Sequence, residues 1–306
     1  MDVQLAIVGA GPAGLTAYIY AARARLKTAL IDKLGAGGQV LTTDWVENYP
    51  GFPEGISGYD LSQQFLKHAQ RFGLEPVIGE VQKLVRENKA FLLETSQGPI
   101  RAQAVIVATG ARPNRLGVPG EEELTGKGVS YCATCDGPFF LNQVIAVVGG
   151  GNTAVQEALY LTRFAQKVFL IHRRDRLRAT KILQERALAH EKIQIIWDTV
   201  VERIEGQTEV EAIQLYNRKT GQRSRLEVGG VFIFVGIIPQ ADFIGPELVD
   251  KDDRGFIITD AEMATKTPGL FAAGDVRVKA CRQIVTACGD GACAAYQAEQ
   301  YLDSLA

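Results

Sequence analysis

The 306-residue chain is poor in the residues that staple, ligate or repel. Five cysteines are too few for a disulfide scaffold, and an odd number cannot all pair within one chain, so a reducing compartment is expected. Three histidines and a single C-x-x-C leave a zinc site short of ligands, and no metal is expected. Neither sign of charge dominates: 33 Lys and Arg against 35 Asp and Glu give a net charge of −2, which supplies no field for gathering nucleic acid or an anionic membrane. Long apolar runs are missing too. The stretch Val231 to Ile238 contains Gly236 and falls far short of a bilayer span. The N-terminus enters an apolar strand pattern at once, without the basic segment and long apolar core of a secretory signal, so a soluble cytoplasmic protein is expected.

Glycine is the exception. Its 32 residues are about a tenth of the chain against roughly 7% on average, which asks where backbone turns tightly or lies against a ligand. Two segments answer with one design. The first runs through an apolar strand Leu5 to Val8, the turn Gly9-Ala10-Gly11-Pro12-Ala13-Gly14, a helix to about Arg25 and a strand Thr28 to Asp32. The second runs through Val144 to Val148, the turn Gly149-Gly150-Gly151-Asn152-Thr153-Ala154, a helix to about Arg163 and a strand Lys167 to His172. Each reads as a βαβ unit with continuous apolar strands, as a parallel sheet covered on both faces requires. Their wide separation means two nucleotide-binding domains, which the chain length also favours.

In a G-x-G-x-x-G turn the first glycine makes the bend and the second lets a pyrophosphate approach backbone N–H groups at a helix N-terminus. The third lets helix and strand pack closely. Gly9, Gly11 and Gly14 meet this pattern in full, and Asp32 lies where a carboxylate accepts from a ribose hydroxyl. The second unit departs from it. Ala154 replaces the third glycine, and its strand ends in His172-Arg173-Arg174, followed by Arg178, instead of an acid. Cations there suit a 2′-phosphate, so NADPH is expected over NADH; a solvated basic helix start is the bland alternative.

Cys132-Ala133-Thr134-Cys135 places two thiols just before the second unit, near enough to close a small disulfide ring. Thiolate is the attacking form, and a free thiol is mostly protonated at neutral pH, so a proton carrier is needed. Asp136 is adjacent and can protonate an outgoing thiolate and then act as a base. Half a zinc site and incidental buried cysteines are the alternatives. Cys281, Cys288 and Cys293 are expected to be reduced core cysteines, with a redox role for Cys281 or Cys288 as the sharper reading.

Strand Val105 to Ala108 ends in Thr109-Gly110; the segments Arg112 to Gly120 and Gly236 to Phe243 read as linkers. The expected fold is α/β, two Rossmann-like nucleotide-binding domains of the three-layer ββα type, with a first domain of residues 1–112 and 244–306 and a second inserted at 113–243. Val77 to Thr95 and Val200 to Val228 read as β-rich crossovers, and the last helix as about Gly291 to Leu305.

Over essentially its whole length the chain resembles the low-molecular-weight, prokaryote-type thioredoxin reductases. Besides the two glycine turns, the matching runs are Gly37-Gly38-Gln39, Glu47-Asn48-Tyr49-Pro50-Gly51, Ala108-Thr109-Gly110, Cys132 to Gly137, His172-Arg173-Arg174 and Phe271-Ala272-Ala273-Gly274-Asp275. The resemblance implies FAD in the first domain, lined by Gly38, Gln39, Asn48, Ala108, Thr109, Gly110, Gly274, Asp275 and Arg282-Gln283-Ile284 together with the first turn. It implies NADPH in the second domain, on Gly149, Gly151, Asn152, Thr153, Ala154, His172, Arg173, Arg174 and Arg178, and a redox-active Cys132–Cys135 disulfide there. Hydride would pass from NADPH to FAD, electrons to the disulfide, and thiols to thioredoxin or a related small redox protein. Cys135 would be the thiol nearer the flavin and the attacker of thioredoxin, with Asp136 as acid and base; the residues alone do not separate the two cysteine roles. A homodimer is implied, and with the chain stopping at Ala306 the acceptor is expected to be a separate protein. The sequence departs from the family at Cys281, where an aromatic residue is common, and at Cys288, where a small one is.

Because nicotinamide and disulfide sit on one domain and the flavin on the other, the inserted domain is expected to rotate about its linkers. Competing readings are a flavoprotein reductase or oxidase serving ferredoxin, oxygen or a peroxidase, a dithiol oxidase, and a nucleotide-sensing module without turnover.

Overall fold

The computed structural model describes every residue except Asp44 and Ala306. The chain divides into two compact units, Met1–Arg112 with Ile238–Ala306, and Pro113–Ile237.

Unit 1 begins with strand β1 (Asp2–Val8). Leu5 and Ile7 enter one apolar cluster and Ala6 and Val8 another, so a strand with period 2 is buried on both faces. Gly11 leads into helix α1 (Pro12–Arg23), where Pro12 takes the first helical position and its missing N–H costs nothing. Strand β2 (Thr28–Asp32) returns parallel to β1. After the short antiparallel pair β3 (Trp45–Val46) and β4 (Ile56–Ser57), the Ser57 hydroxyl accepts from Asp60 N at 3.0 Å and caps helix α2 (Gly58–Gln70). Strands β5 (Val77–Ile78), β6 (Val81–Glu87), β7 (Ala90–Thr95) and β8 (Ile100–Val107) complete the order β5-β2-β1-β8-β7-β6, which turns antiparallel beyond β8. The chain leaves through β9 (Ala111–Pro113).

Unit 2 runs β10 (Val129–Ser130), the single turn α3 (Ala133–Asp136), β11 (Val144–Gly149), α4 (Asn152–Leu161), β12 (Lys167–Ile171), α5 (Lys181–Ala189) and β13 (Ile193–Ile196). A three-stranded antiparallel sheet, β14 (Thr199–Glu205), β15 (Ala212–Asn217) and β16 (Arg223–Glu227), follows before β17 (Gly230–Phe234) inserts between β10 and β11. The parallel order is β10-β17-β11-β12-β13. Along β11, Ile145 and Val147 pack toward Val155, Ala158 and Leu161 of α4, and Ala146 and Val148 toward Ile204, Ile213 and Leu215 of the antiparallel sheet. Helices, parallel sheet and antiparallel sheet are the three layers.

The return strand β18 (Ile237–Pro239) pairs with β9, so both crossings between the units run in one two-stranded ribbon. Unit 1 closes with β19 (Leu270–Ala272), parallel to β8, and helix α6 (Ile284–Asp303).

Two expectations are corrected. The second border lies at Ile237 and not at Phe243: Gln240 N donates to Gly110 O, Leu84 N to Phe243 O, and Ala241 and Ile244 are buried in the unit 1 core. The last helix starts at Ile284, well before Gly291. Gly291 lies inside this helix and serves packing, since a Cβ there would stand 2.1 Å from Ala13 O on α1. Among the described residues no helix is long and apolar enough to cross a membrane.

Candidate nucleotide and disulfide sites

The first glycine turn divides its labour as the pattern requires. Gly9 has φ +108°, and a Cβ there would meet Ala108 O at 2.4 Å; at Gly14 it would meet Gly9 O at 1.8 Å. These two make the bend and the strand–helix contact. Gly11 meets nothing nearer than Gly38 Cα at 4.0 Å, so its face is the open one, at the start of α1. Asp32 acts first on its own loop: its carboxylate accepts from Ala10 N at 2.7 Å, Leu34 N at 2.8 Å and Gly35 N at 2.9 Å.

The remaining unit 1 candidates come from distant segments. Gln39 lies exposed in the 3-10 turn Gly38–Thr42. Asn48 Nδ2 donates to Gln283 Oε1 at 3.0 Å, and Gln283 caps α6 one residue before Ile284. Ala108 is buried against the first turn, whereas the Thr109 hydroxyl is taken by Gln240 O at 2.5 Å. Gly110 has φ +68° and nothing within 4 Å of its Cβ position. Gly274 has φ +77° and sits against Ala13. Next to it, Asp275 Oδ1 and Arg282 Nε are buried without a hydrogen-bond partner among the described residues. Burial pushes the Asp275 carboxyl above its ordinary value, and the Lys279 and Arg282 charges pull it back. A buried acceptor and donor left open beside the first glycine turn fit a ligand with hydroxyls and phosphates.

Sequence reading missed the brace beneath this loop. Asp290 on α6 accepts from Gly274 N at 3.0 Å and Lys279 Nζ at 2.9 Å, with Arg277 at 3.4 Å. All three side chains are nearly buried.

In unit 2, Gly149 at φ +155° would bring a Cβ within 2.5 Å of the Ala154 Cβ, so the alanine fills the space a third glycine would leave. Gly151 has open space before it; Asn152 and Thr153 are exposed at the start of α4, and Asn152 Oδ1 accepts from Thr180 N. Arg173, Arg174 and Arg178 are exposed, and none has an ion-pair partner among the described residues. Arg178 N donates to Gly150 O at 2.7 Å, which ties the cationic segment to the glycine turn.

The His172 side chain supports the glycine turn from within unit 2. It is buried, with Nδ1 2.8 Å from Gly149 O and Nε2 2.9 Å from Arg176 O, and its ring fills the space beside Gly150. Burial pushes its pKa below the ordinary 6.5, and the Arg178 and Arg174 charges act in the same direction against the two carbonyls.

Cys132 and Cys135 form a disulfide with Cα atoms 5.3 Å apart. Cys132 caps the single turn α3, Asp136 ends it, and Asp136 N donates to Cys132 O at 3.1 Å. Cys135 N donates to Cys132 Sγ at 3.2 Å. When the pair is opened, that amide favours negative charge on the Cys132 sulfur. The other three cysteines are free, as expected; Cys281 is exposed and Cys288 half-buried, whereas the half-buried Cys293 packs against the unit 1 core. Tyr49 Oη donates to Cys288 Sγ at 3.8 Å; burial first, and the Cys288 sulfur second, push the phenol up to about 12.

Comparison with known proteins agrees with this layout. The family model described as pyridine nucleotide-disulphide oxidoreductase matches residues 3–291. A thioredoxin reductase of Listeria monocytogenes is 48% identical over 301 residues, 98% of this chain and 93% of the relative. Two solved structures each cover 99% of both chains: a thioredoxin reductase from Streptococcus pyogenes, 48% identical with a TM-score of 0.94, and one from Lactococcus lactis in an "FR conformation", 45% identical with a TM-score of 0.67. The chain belongs to the pyridine nucleotide-disulphide oxidoreductase family.

Proposed function

We propose that the chain is an NADPH-dependent thioredoxin-disulfide reductase, with FAD held by unit 1 and NADPH by unit 2. The Cys132–Cys135 disulfide, formed immediately ahead of the second nucleotide turn, carries this reading. Bound FAD supplies the two-electron relay between nicotinamide and disulfide. Gly11 and the N–H groups opening α1 would hold its pyrophosphate, and Asp275 would accept from one of its hydroxyls. Arg173, Arg174 and Arg178 select the 2′-phosphate of NADPH.

The disulfide accepts two electrons and one proton as its S–S bond breaks, giving one thiol and one thiolate. Cys132 Sγ holds the charge beside the Cys135 amide, and Asp136 moves the proton. Cys135, once Asp136 has taken its proton, attacks and opens the thioredoxin disulfide, forming a mixed disulfide that Cys132 resolves; the enzyme returns to its oxidised pair and thioredoxin leaves as a dithiol after taking up one proton from solvent. The acceptor is thioredoxin or a related small redoxin, and the enzyme works as a homodimer in a reducing cytoplasm, a setting that the three free cysteines suit.

Unit 2 alternates between offering its nicotinamide and offering its thiols by bending at the β9–β18 ribbon. Two relatives of similar identity but very different TM-scores suit a family with more than one arrangement of its units. A cross-link between the units should stop cycling; full turnover by the locked protein would reject the motion. Cys135→Ser tests the function itself. It should abolish NADPH-driven thioredoxin reduction while flavin bleaching by NADPH survives, and persistent thioredoxin reduction would refute the mechanism.

A further inference from the structure

Glu121 is 2% exposed, and among the described residues its carboxylate forms no ion pair, although the Arg115 guanidinium acts on it through space. Its oxygens are instead filled by four donors: Leu116 N at 2.9 Å, Gly117 N at 2.7 Å, Val118 N at 3.4 Å and the Tyr131 hydroxyl at 2.8 Å. The three amides belong to the segment through which the chain enters unit 2. Tyr131 immediately precedes Cys132. On the far side of Tyr131, the Ser130 hydroxyl accepts from Cys132 N at 3.1 Å.

The entry segment is fixed at its other end as well. Pro119 O accepts from Ile204 N at 2.9 Å, and Gly120, at φ +87°, lies so close to β14 that a Cβ would stand 2.0 Å from Ile204 O. Leu116, Val118 and Tyr131 all pack against the same apolar cluster of unit 2. The stretch that reads as a linker in the sequence is therefore anchored from Leu116 onward.

We propose that Glu121 is a positioning residue that joins the entry segment and the disulfide-bearing segment into one mechanical piece, so that this crossing flexes only before Leu116. The proposal rests on Cys132–Cys135 being the redox pair of the reductase. A carboxylate does this where a neutral side chain would not, because it accepts from all four donors at once and, fully hydrogen-bonded, tolerates burial. The consequence is that bending at the β9–β18 ribbon moves the thiols as a rigid body and not as a loose loop.

The test uses the FAD-loaded protein with Tyr131→Phe, which keeps the ring and removes one donor, and with Glu121→Gln. Loss of one hydrogen bond to a carboxylate is about 1.5 kcal/mol, or roughly tenfold. Tyr131→Phe should speed amide exchange roughly tenfold both at 129–137 and at Leu116 to Val118, and should lower thioredoxin turnover by a similar factor while flavin bleaching by NADPH keeps its rate. Glu121→Gln should exceed it in each readout, and the double variant should be no worse than Glu121→Gln alone. Faster exchange confined to 129–137 in Tyr131→Phe, unchanged thioredoxin turnover, or additive effects in the double variant would overturn the proposal. If Glu121→Gln fails to fold, Tyr131→Phe decides alone. Thioredoxin reduction surviving in Cys135→Ser would instead refute the functional reading, with the exchange coupling still measurable.

Discussion

Replacing Arg173 and Arg174 together by alanine should convert an NADPH enzyme into one that barely distinguishes the two nicotinamides. Both guanidinium groups are exposed and lack an ion-pair partner among the described residues, and the segment is held to the glycine turn through Arg178 N and Gly150 O. A charge-assisted contact to phosphate contributes about 1.5–3 kcal/mol, and solvent screening at exposed groups favours the lower end. Two contacts then give about 3 kcal/mol, roughly a hundredfold in kcat/KM. NADH has no 2′-phosphate, so its kcat/KM should move by less than about threefold. The assay is the kcat/KM ratio for the two nucleotides at fixed ionic strength, with the wild-type preference shrinking as salt rises. A ratio in the double variant within about threefold of wild type would refute the assignment of the cationic segment.

Gly11→Ala and Gly14→Ala should separate binding from folding. A methyl at Gly14 would stand 1.8 Å from Gly9 O, so that variant should lose thermal stability even without FAD; Gly11→Ala meets only open space and should keep the apo melting temperature while weakening FAD binding. Calorimetry of the apo-proteins with FAD titration checks the pair, and equal melting temperatures would contradict it. His172 should stay neutral below pH 6.5, followed by imidazole NMR; a titration at or above 6.5 would contradict its burial. Since the folded-state pKa lies below the unfolded one, the unfolded chain takes up the proton first on acidification. Stability from the neutral ring is intact above 6.5 and lost as pH falls below it, a slope that His172→Gln should reduce in urea unfolding at pH 7.5 and 5.5.

What could be read from the sequence was local. The two glycine turns, their flanking strands and the C-x-x-C are each written within a few consecutive residues, and the structure places them where the spacing put them. Long-range partners were not readable. Nothing near Gln240 shows that it pairs with Thr109, 131 positions earlier, and that pairing moves the border back to Ile237. His172 adjoins two exposed arginines in the chain, yet its ring turns inward because two carbonyls and the space over Gly150 receive it. Asp32 and Asp290 carry charge in the sequence, but only the fold shows that they hold loops through main-chain amides. Glu121 lies in a run of three glutamates, and only the fold shows which one is buried.

The central claim is that one chain stores electrons at two centres in series, a flavin and the Cys132–Cys135 disulfide. Anaerobic titration of the FAD-loaded protein with NADPH, read by flavin absorbance and by thiol count, tests it directly. The wild type should take up about two hydride equivalents per chain and expose two new thiols, whereas the Cys132→Ser, Cys135→Ser double variant should take up about one and expose none. Equal uptake by the two proteins, or no new thiols in the wild type, would contradict the account.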